Sequence, residues 1–311
     1  MTPVFHYMLT GRGFGSEINN LLFALQYAKD QSKPEPPVFV LNSQHWNAGV
    51  DRGWEDYFEP SPLWHSSLDS TRLRAVNGLI FLAVKGGLYL NDYPSVWDRN
   101  LSGKHVVFKS VLKTIAGRHI FLFFPLFGQA REAGRQQMMK DPVALKSSLH
   151  QFLLSLWRPK QTIQKEIEQS RIAGKYACLH IRRGDKIATG EDIHYAVSVY
   201  AERLKALKLS TPTVLVLCDD YRAFEELQDA LPEYQLLTNT PSNVRGHDQR
   251  TFNRQPKEVI YQDTVRFIVD IELARNAQVF IGSHHSNVFR LVEYFKLKNC
   301  YSVAPDFRDI V

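Results

Sequence analysis

From residue 176 onward, short apolar runs alternate with amphipathic stretches, and this alternation constrains the fold more than any other feature of the chain. The apolar runs at 176–181, 214–218, 235–237, 279–281 and 300–303 are too short for buried helices and carry β-branched and aromatic residues, so they predict strands. Between them, 196–207, 223–230, 262–276 and 287–295 place apolar residues at helical spacing. Parallel strands need a crossover connection, which is usually a helix. The alternation therefore predicts a parallel sheet covered on both faces. In such a sheet, ligands sit at the C-terminal ends of the strands, where loops feed helix N-termini.

The start of the chain repeats the pattern. A strand at 4–9 runs into Gly11-Arg12-Gly13-Phe14-Gly15-Ser16, a helix over 17–29 follows, and a strand at 38–41 completes one α/β unit. The helical face is Ile18, Leu21, Leu22, Leu25 and Ala28, with Ser16 as its N-cap. Helices are also predicted at about 142–157 and 162–170. The length of 311 residues suits two domains, read here as 1–160 and 161–311. Residues 238–257 form a polar loop, and a loop that long is usually functional or disordered.

The charge excess is mild, 38 Lys and Arg against 32 Asp and Glu. It suits an anionic small substrate, and no basic stripe interleaved with aromatics points to nucleic acid. Cys178, Cys218 and Cys300 are odd in number and include no CxxC, so neither a disulfide framework nor a zinc site is expected. That usage fits a reducing, cytoplasmic setting, with a soluble piece of a secretory-pathway enzyme as the alternative. The greasiest windows, 78–84 and 119–127, are far shorter than a membrane span.

The chemistry concentrates at predicted strand ends. His180-Ile181-Arg182-Arg183-Gly184-Asp185-Lys186 follows a buried strand. Charges there are costly unless something pairs them, and an arginine fork fits phosphate oxygens. A diphosphate clamp and a structural network with Asp185 pairing an arginine are the two readings. The Gly11-x-Gly13-x-Gly15 turn lets backbone N–H groups approach an anion at a helix start, or is a plain tight turn. It lacks both the dinucleotide GxGxxG pattern and a Walker GK[ST], which disfavours dehydrogenases and kinases. Ser283-His284-His285-Ser286-Asn287 opens a helix and offers either phosphate donors or a cap. Asp263, Arg266 and Asp270 share a helical stripe, which on spacing alone reads as ion pairs. Asp219-Asp220 reads as a strand end and cap rather than a metal pair.

Taken in order, these motifs resemble the α1,6-fucosyltransferases, the nodulation and N-glycan-core types, within the protein O-fucosyltransferase superfamily. The glycine loop, Ser43-Gln44-His45-Trp46, Gly53-Trp54-Glu55-Asp56-Tyr57-Phe58-Glu59-Pro60 and Arg158-Pro159 with Lys165-Glu166-Ile167-Glu168 carry the first half of the likeness. The basic signature from His180 to Lys186, Leu217-Cys218-Asp219-Asp220, Asp270-Ile271 and Ser286-Asn287-Val288-x-Arg290 carry the second. The resemblance implies a two-lobed, GT-B-like α/β glycosyltransferase, with residues 1–160 as an N-terminal α/β domain carrying the glycine loop and the acceptor side, and 161–311 as a Rossmann-type C-terminal nucleotide-sugar-binding domain. It implies an inverting enzyme that moves fucose from GDP-fucose to a glycan hydroxyl without a metal or other cofactor.

By the same resemblance, His180 and Asp270 contact guanine. Arg182 and Ser286 hold the phosphates, with Arg183, Asn287 and the Gly11, Gly13, Phe14 and Gly15 loop beside them. Asp185 and Lys186 line the reaction centre. The family's basic glutamate falls on Gly190 here, so the base is Glu191 or Asp192. Thr10 replaces an acceptor-binding lysine, and the loop between Trp46 and Trp54 is one residue longer and lacks a phosphate-reaching tyrosine. The expected partners are the donor and a glycan acceptor. A related transferase using another nucleotide sugar, such as UDP-xylose, and a non-catalytic nucleotide- or glycan-binding protein are the alternatives.

Overall fold

The computed structural model describes residues 4–32, 36–43, 46–66, 120–185 and 193–304. The chain groups into two compact units that divide between Arg158 and Pro159, with Arg12–Asn19 grouped in the second unit.

The first unit carries a parallel sheet of β1 (Val4–Met8), β2 (Val38–Asn42), β3 (His65–Ser66) and β4 (Ile120–Leu122), in the order β3-β2-β1-β4. Helix α1 (Phe14–Gln31) starts three residues earlier than its apolar periodicity suggests. The Glu17 N–H already donates to the Gly13 carbonyl at 3.1 Å, so Ser16 lies inside the helix and is not its N-cap. Helices α2 (Phe123–Lys140) and α3 (Pro142–Leu156) follow. Asp141 caps α3 by accepting from the Ala144 N–H, and Pro142 sits at the helix start, where its missing N–H is harmless.

The second unit holds α4 (Gln161–Gln169) and a five-stranded parallel sheet. Its strands are β5 (Ala177–Ile181), β6 (Thr213–Cys218), β7 (Gln235–Leu237), β8 (Val279–Gly282) and β9 (Cys300–Ser302). The helices are α5 (Val197–Ala206), α6 (Tyr221–Ala230), the short α7 (Gln249–Phe252), α8 (Lys257–Asn276) and α9 (Asn287–Lys296). The strand order β7-β6-β5-β8-β9 reverses direction at β5, between β6 and β8.

Strand β5 shows why this sheet needs both faces covered: all five of its residues are buried. Ala177, Leu179 and Ile181 pack with Val197, Tyr200 and Leu204 of α5 and Phe224 and Leu227 of α6. Cys178 and His180 alternate to the opposite face, where the His180 ring stacks at 6.3 Å on Phe280, itself 5.7 Å from Phe289. Full burial of side chains such as Leu179 and Ile181 contributes about 1.5–3 kcal/mol each.

No disulfide joins Cys178, Cys218 and Cys300. Among the described residues no helix is long and apolar enough to cross a membrane.

Candidate functional site

The reversal of strand order leaves a crevice-forming point at the C-terminal end of β5, and the chain's charged motif emerges there. The loop after β5 is held by an acid from the next strand. Asp219, at the end of β6, accepts from the Arg183 N–H at 2.6 Å and from the Gly184 N–H at 2.9 Å. Burial raises its pKa, while Arg182 and these two backbone donors counteract the rise. Asp220 turns the other way: it caps α6 through the Arg222 N–H and pairs with the Arg222 guanidinium. The two acids expected at a strand end are therefore both occupied by protein donors. Among the described residues, no group of three His, Cys, Asp or Glu could hold a metal.

Gly184 is required by close approach. A Cβ there would lie 2.4 Å from the His247 carbonyl oxygen and 2.7 Å from Asp219 Oδ2. The segment between β7 and α8 is an ordered strap docked on this loop. Asp185 N–H donates to the His247 carbonyl at 2.9 Å, Gln249 N–H donates to Asp185 Oδ2 at 3.0 Å, and Tyr221 N–H donates to the Val244 carbonyl at 3.1 Å. Residue spacing does not reveal these contacts, because they join positions tens of residues apart.

The three charged residues of this loop, Arg182, Arg183 and Asp185, differ in what satisfies them. Arg183 forks Glu226 through both terminal nitrogens at 2.6 and 2.5 Å. Arg182 donates from Nη2 to Asp185 Oδ1 at 3.0 Å, while its buried Nε has no hydrogen-bond partner among the described residues and lies 4.0 Å from Asp219 Oδ2. The Asp185–Arg182 pairing that the sequence offered as a structural reading is thus present. Burial works against ionisation of Asp185, but the Gln249 N–H and Arg182 outweigh it and hold the carboxyl below its usual range. Asp185 is accordingly a fixed anion rather than a proton carrier near neutral pH.

His180 sits one strand position inside the loop. Burial, with Arg182 adding, pushes its pKa down to about 3, so the ring is neutral. Its Nδ1 has no partner among the described residues. At the end of β8, Ser286 caps α9 by accepting from the Val288 N–H at 3.2 Å. His284 Nδ1 lies 3.1 Å from Ser302 Oγ, and Arg290 Nε donates to the His284 carbonyl.

The glycine loop belongs with these groups. Phe14 packs on Phe267 of α8 at 5.2 Å, and Asn19 Nδ2 donates to the Asn287 carbonyl at 2.9 Å. A Cβ on Gly15 would touch the Asn287 carbonyl at 3.4 Å, and one on Gly13 would press on Gln249 Oε1 at 3.1 Å. Gly11 falls in the first unit.

On α8, Asp263 pairs with Arg266 at 3.2 Å, as the helical stripe predicts. Asp270 is different: Oδ1 accepts from Asn239 Nδ2 at 2.8 Å, and Oδ2 has no hydrogen-bond partner among the described residues. Asp270 is half-buried. Burial raises its pKa to about 6, with Asn239 and Arg266 opposing. Lys186, Glu191 and Asp192 lie outside the described residues. Sequence reasoning missed Glu226, Asn239, His247 and Gln249, and did not foresee that Asp219 grips the loop backbone.

No family model matches the chain, and no curated protein matches it. Solved structures do. The chain is similar to NodZ α-1,6-fucosyltransferase soaked with GDP-fucose, with a TM-score of 0.54 at 13% identity over 95% of this chain and 93% of that one. It is similar to POFUT1 in complex with GDP-fucose, with a TM-score of 0.57 at 10% identity over 97% of each chain. It is also similar to an FUT1 variant of Arabidopsis thaliana in complex with GDP, with a TM-score of 0.50 at 12% identity over 95% of this chain and 69% of that one. At these identities the shared property is the fold.

Proposed function

We propose that this chain is an inverting glycosyltransferase that transfers L-fucose from GDP-fucose to a glycan hydroxyl, with a Rossmann-type second unit holding the nucleotide. The observation that carries the reading is Arg182: a half-buried guanidinium at the strand-order reversal, with Nε unpartnered among the described residues. A buried donor left without an acceptor is costly, and a diphosphate oxygen would satisfy it. The fold is shared with proteins solved with GDP-fucose or GDP.

In this reading Asp270 recognises guanine. Its Oδ2 and the second lone pair of Oδ1 accept from N1–H and the 2-amino group, an edge uracil does not present. Neutral His180, with Nδ1 open, lies against the base. Ser286, Asn287, Gly13 and Gly15 border the phosphates. Arg183 shapes the loop through Glu226, and Asp185 orients Arg182. The acceptor hydroxyl gives its proton to Glu191 or Asp192, and its oxygen attacks the anomeric carbon. The bond from that carbon to the diphosphate oxygen breaks, and GDP leaves with the electron pair. Arg182 and Lys186 neutralise the leaving group in place of a metal.

Calorimetric titration tests the donor. Wild-type protein is expected to bind GDP well ahead of UDP. Asp270→Asn should weaken GDP about tenfold or more, because it turns an acceptor toward guanine's donors into a donor. Equal GDP and UDP affinities, or an unchanged Asp270→Asn protein, would overturn the guanine assignment and favour another nucleotide sugar.

A further inference from the structure

The first unit contains a cavity of about 230 Å³ that the donor chemistry does not use. Ser43, Arg52, Trp54, Glu55, Ser61 and Trp64 furnish its polar and aromatic lining. We propose that it is a saccharide subsite that holds one neutral sugar residue of a glycan. That the glycan is the acceptor rests on the transferase reading; the sugar-binding chemistry does not.

The cavity is built, not incidental. Gly53 turns the chain with φ of +66°, and a Cβ there would collide with the Ser43 carbonyl oxygen at 2.1 Å. This turn presents two neighbouring acids with opposite uses. Asp56 spends both oxygens on the Val50, Asp51 and Arg52 N–H groups, at 2.7, 3.1 and 2.9 Å, and so fixes the loop. Glu55 lines the cavity, and Arg52 is its hydrogen-bond partner among the described residues. The two serines are half satisfied. Ser43 Oγ accepts from the Trp54 N–H at 2.9 Å and Ser61 Oγ accepts from the Leu63 N–H at 3.2 Å. Among the described residues neither hydroxyl has a recorded acceptor for its hydrogen.

The aromatic wall completes the argument. Trp54 is buried against Phe58 at 4.4 Å and Trp46 at 6.3 Å. That stack holds Trp64 edge-on at 5.3 Å, and Trp64 keeps part of its surface open. An indole beside a carboxylate, a guanidinium and two serine hydroxyls suits a sugar, which offers C–H faces and a rim of hydroxyls. Arg52 and Glu55 cancel in charge, which disfavours a phosphate or nucleotide. The volume falls just below the roughly 300–1,000 Å³ usual for ligand sites, so it suits a single ring.

The test uses the full chain, Trp64→Ala and Glu55→Gln on a printed array of defined neutral oligosaccharides, with saturation-transfer NMR on the hits. Each protein is also titrated with GDP. Wild type should bind a glycan set, both substitutions should weaken that binding about tenfold or more, and GDP affinity should stay within about twofold. Glu55→Gln keeps the size of a partly exposed side chain and guards against a folding defect in Trp64→Ala. No oligosaccharide bound by the wild type, or hits unchanged in Glu55→Gln and Trp64→Ala, would overturn the subsite. Failure of the wild type to bind GDP would instead overturn the donor reading and leave the array result to stand or fall by itself.

Discussion

Replacing Gly184 with alanine tests the docking of the strap more sharply than any charge change. The added methyl would lie 2.4 Å from the His247 carbonyl oxygen, 2.7 Å from Asp219 Oδ2 and 2.8 Å from the His247 nitrogen. Two of those atoms are backbone, so no side-chain rotation relieves the clash. The strap must retreat by about 1 Å to restore ordinary contact. Overpacking of this kind costs about 1–3 kcal/mol. Retreat also stretches the bonds from Asp185 N–H to His247 and from Gly184 N–H to Asp219, at about 1 kcal/mol each. Together these give about 3–5 kcal/mol, at the upper end for single substitutions. The control is Gly174→Ala, where φ is +79° and nothing lies within 4 Å, so only backbone strain of about 1–2 kcal/mol applies. Urea denaturation followed by circular dichroism measures both, and hydrogen exchange reports the Asp185 amide. The docked strap would be refuted if Gly184→Ala proved as stable as Gly174→Ala with Asp185 protection unchanged.

Three further outcomes follow from the same geometry. Asp270 accepts guanine's donors only when ionised, and its pKa is raised to about 6. GDP affinity measured calorimetrically should therefore hold above that pH and fall about tenfold per unit below it, whereas Asp270→Asn should lack this dependence. Ser286→Ala removes the cap of α9 and should lower stability by about 1 kcal/mol in urea denaturation, since the Val288 N–H loses its acceptor. Arg182→Ala should weaken GDP binding by about tenfold or more while leaving the thermal unfolding midpoint nearly unchanged, because its ion pair with Asp185 is partly exposed; near-normal GDP affinity would exclude the clamp.

How far the fold was legible depended on whether the signal was local. Strands β5 to β9 each carry an apolar run of their own, and the helices between them carry a 3.6-residue stripe, so their order could be read directly. Helix α2 could not: it opens Phe123-Phe124-Pro125, which reads as a strand running into a breaker. The proline is tolerated because the first-turn N–H has no helical acceptor. The start of α1 differs for a similar reason, since three residues of the glycine motif, Phe14, Gly15 and Ser16, adopt helical geometry before any apolar stripe begins.

At the candidate site, residue types marked the loop after β5, but partners could not be read. Asp219 reaches the Gly184 N–H across 35 positions, and Gln249 reaches Asp185 across 64. The strap looked structureless because its anchors are backbone groups meeting distant backbone or carboxylate partners. Asp270 illustrates the limit from the other side. Its spacing with Arg266 suggested an ion pair, yet Arg266 pairs with Asp263 while Asp270 takes Asn239 from outside the helix.

The most direct test of the central claim is a transfer assay with GDP-fucose and a mixed glycan acceptor pool in excess EDTA, read by mass spectrometry of the glycans and by released GDP. The account predicts glycans heavier by one deoxyhexose, GDP formed in equal amount, and loss of both with Arg182→Ala. No product from GDP-fucose under conditions where a UDP-sugar is turned over would contradict it, as would activity abolished by EDTA and restored by Mn²⁺.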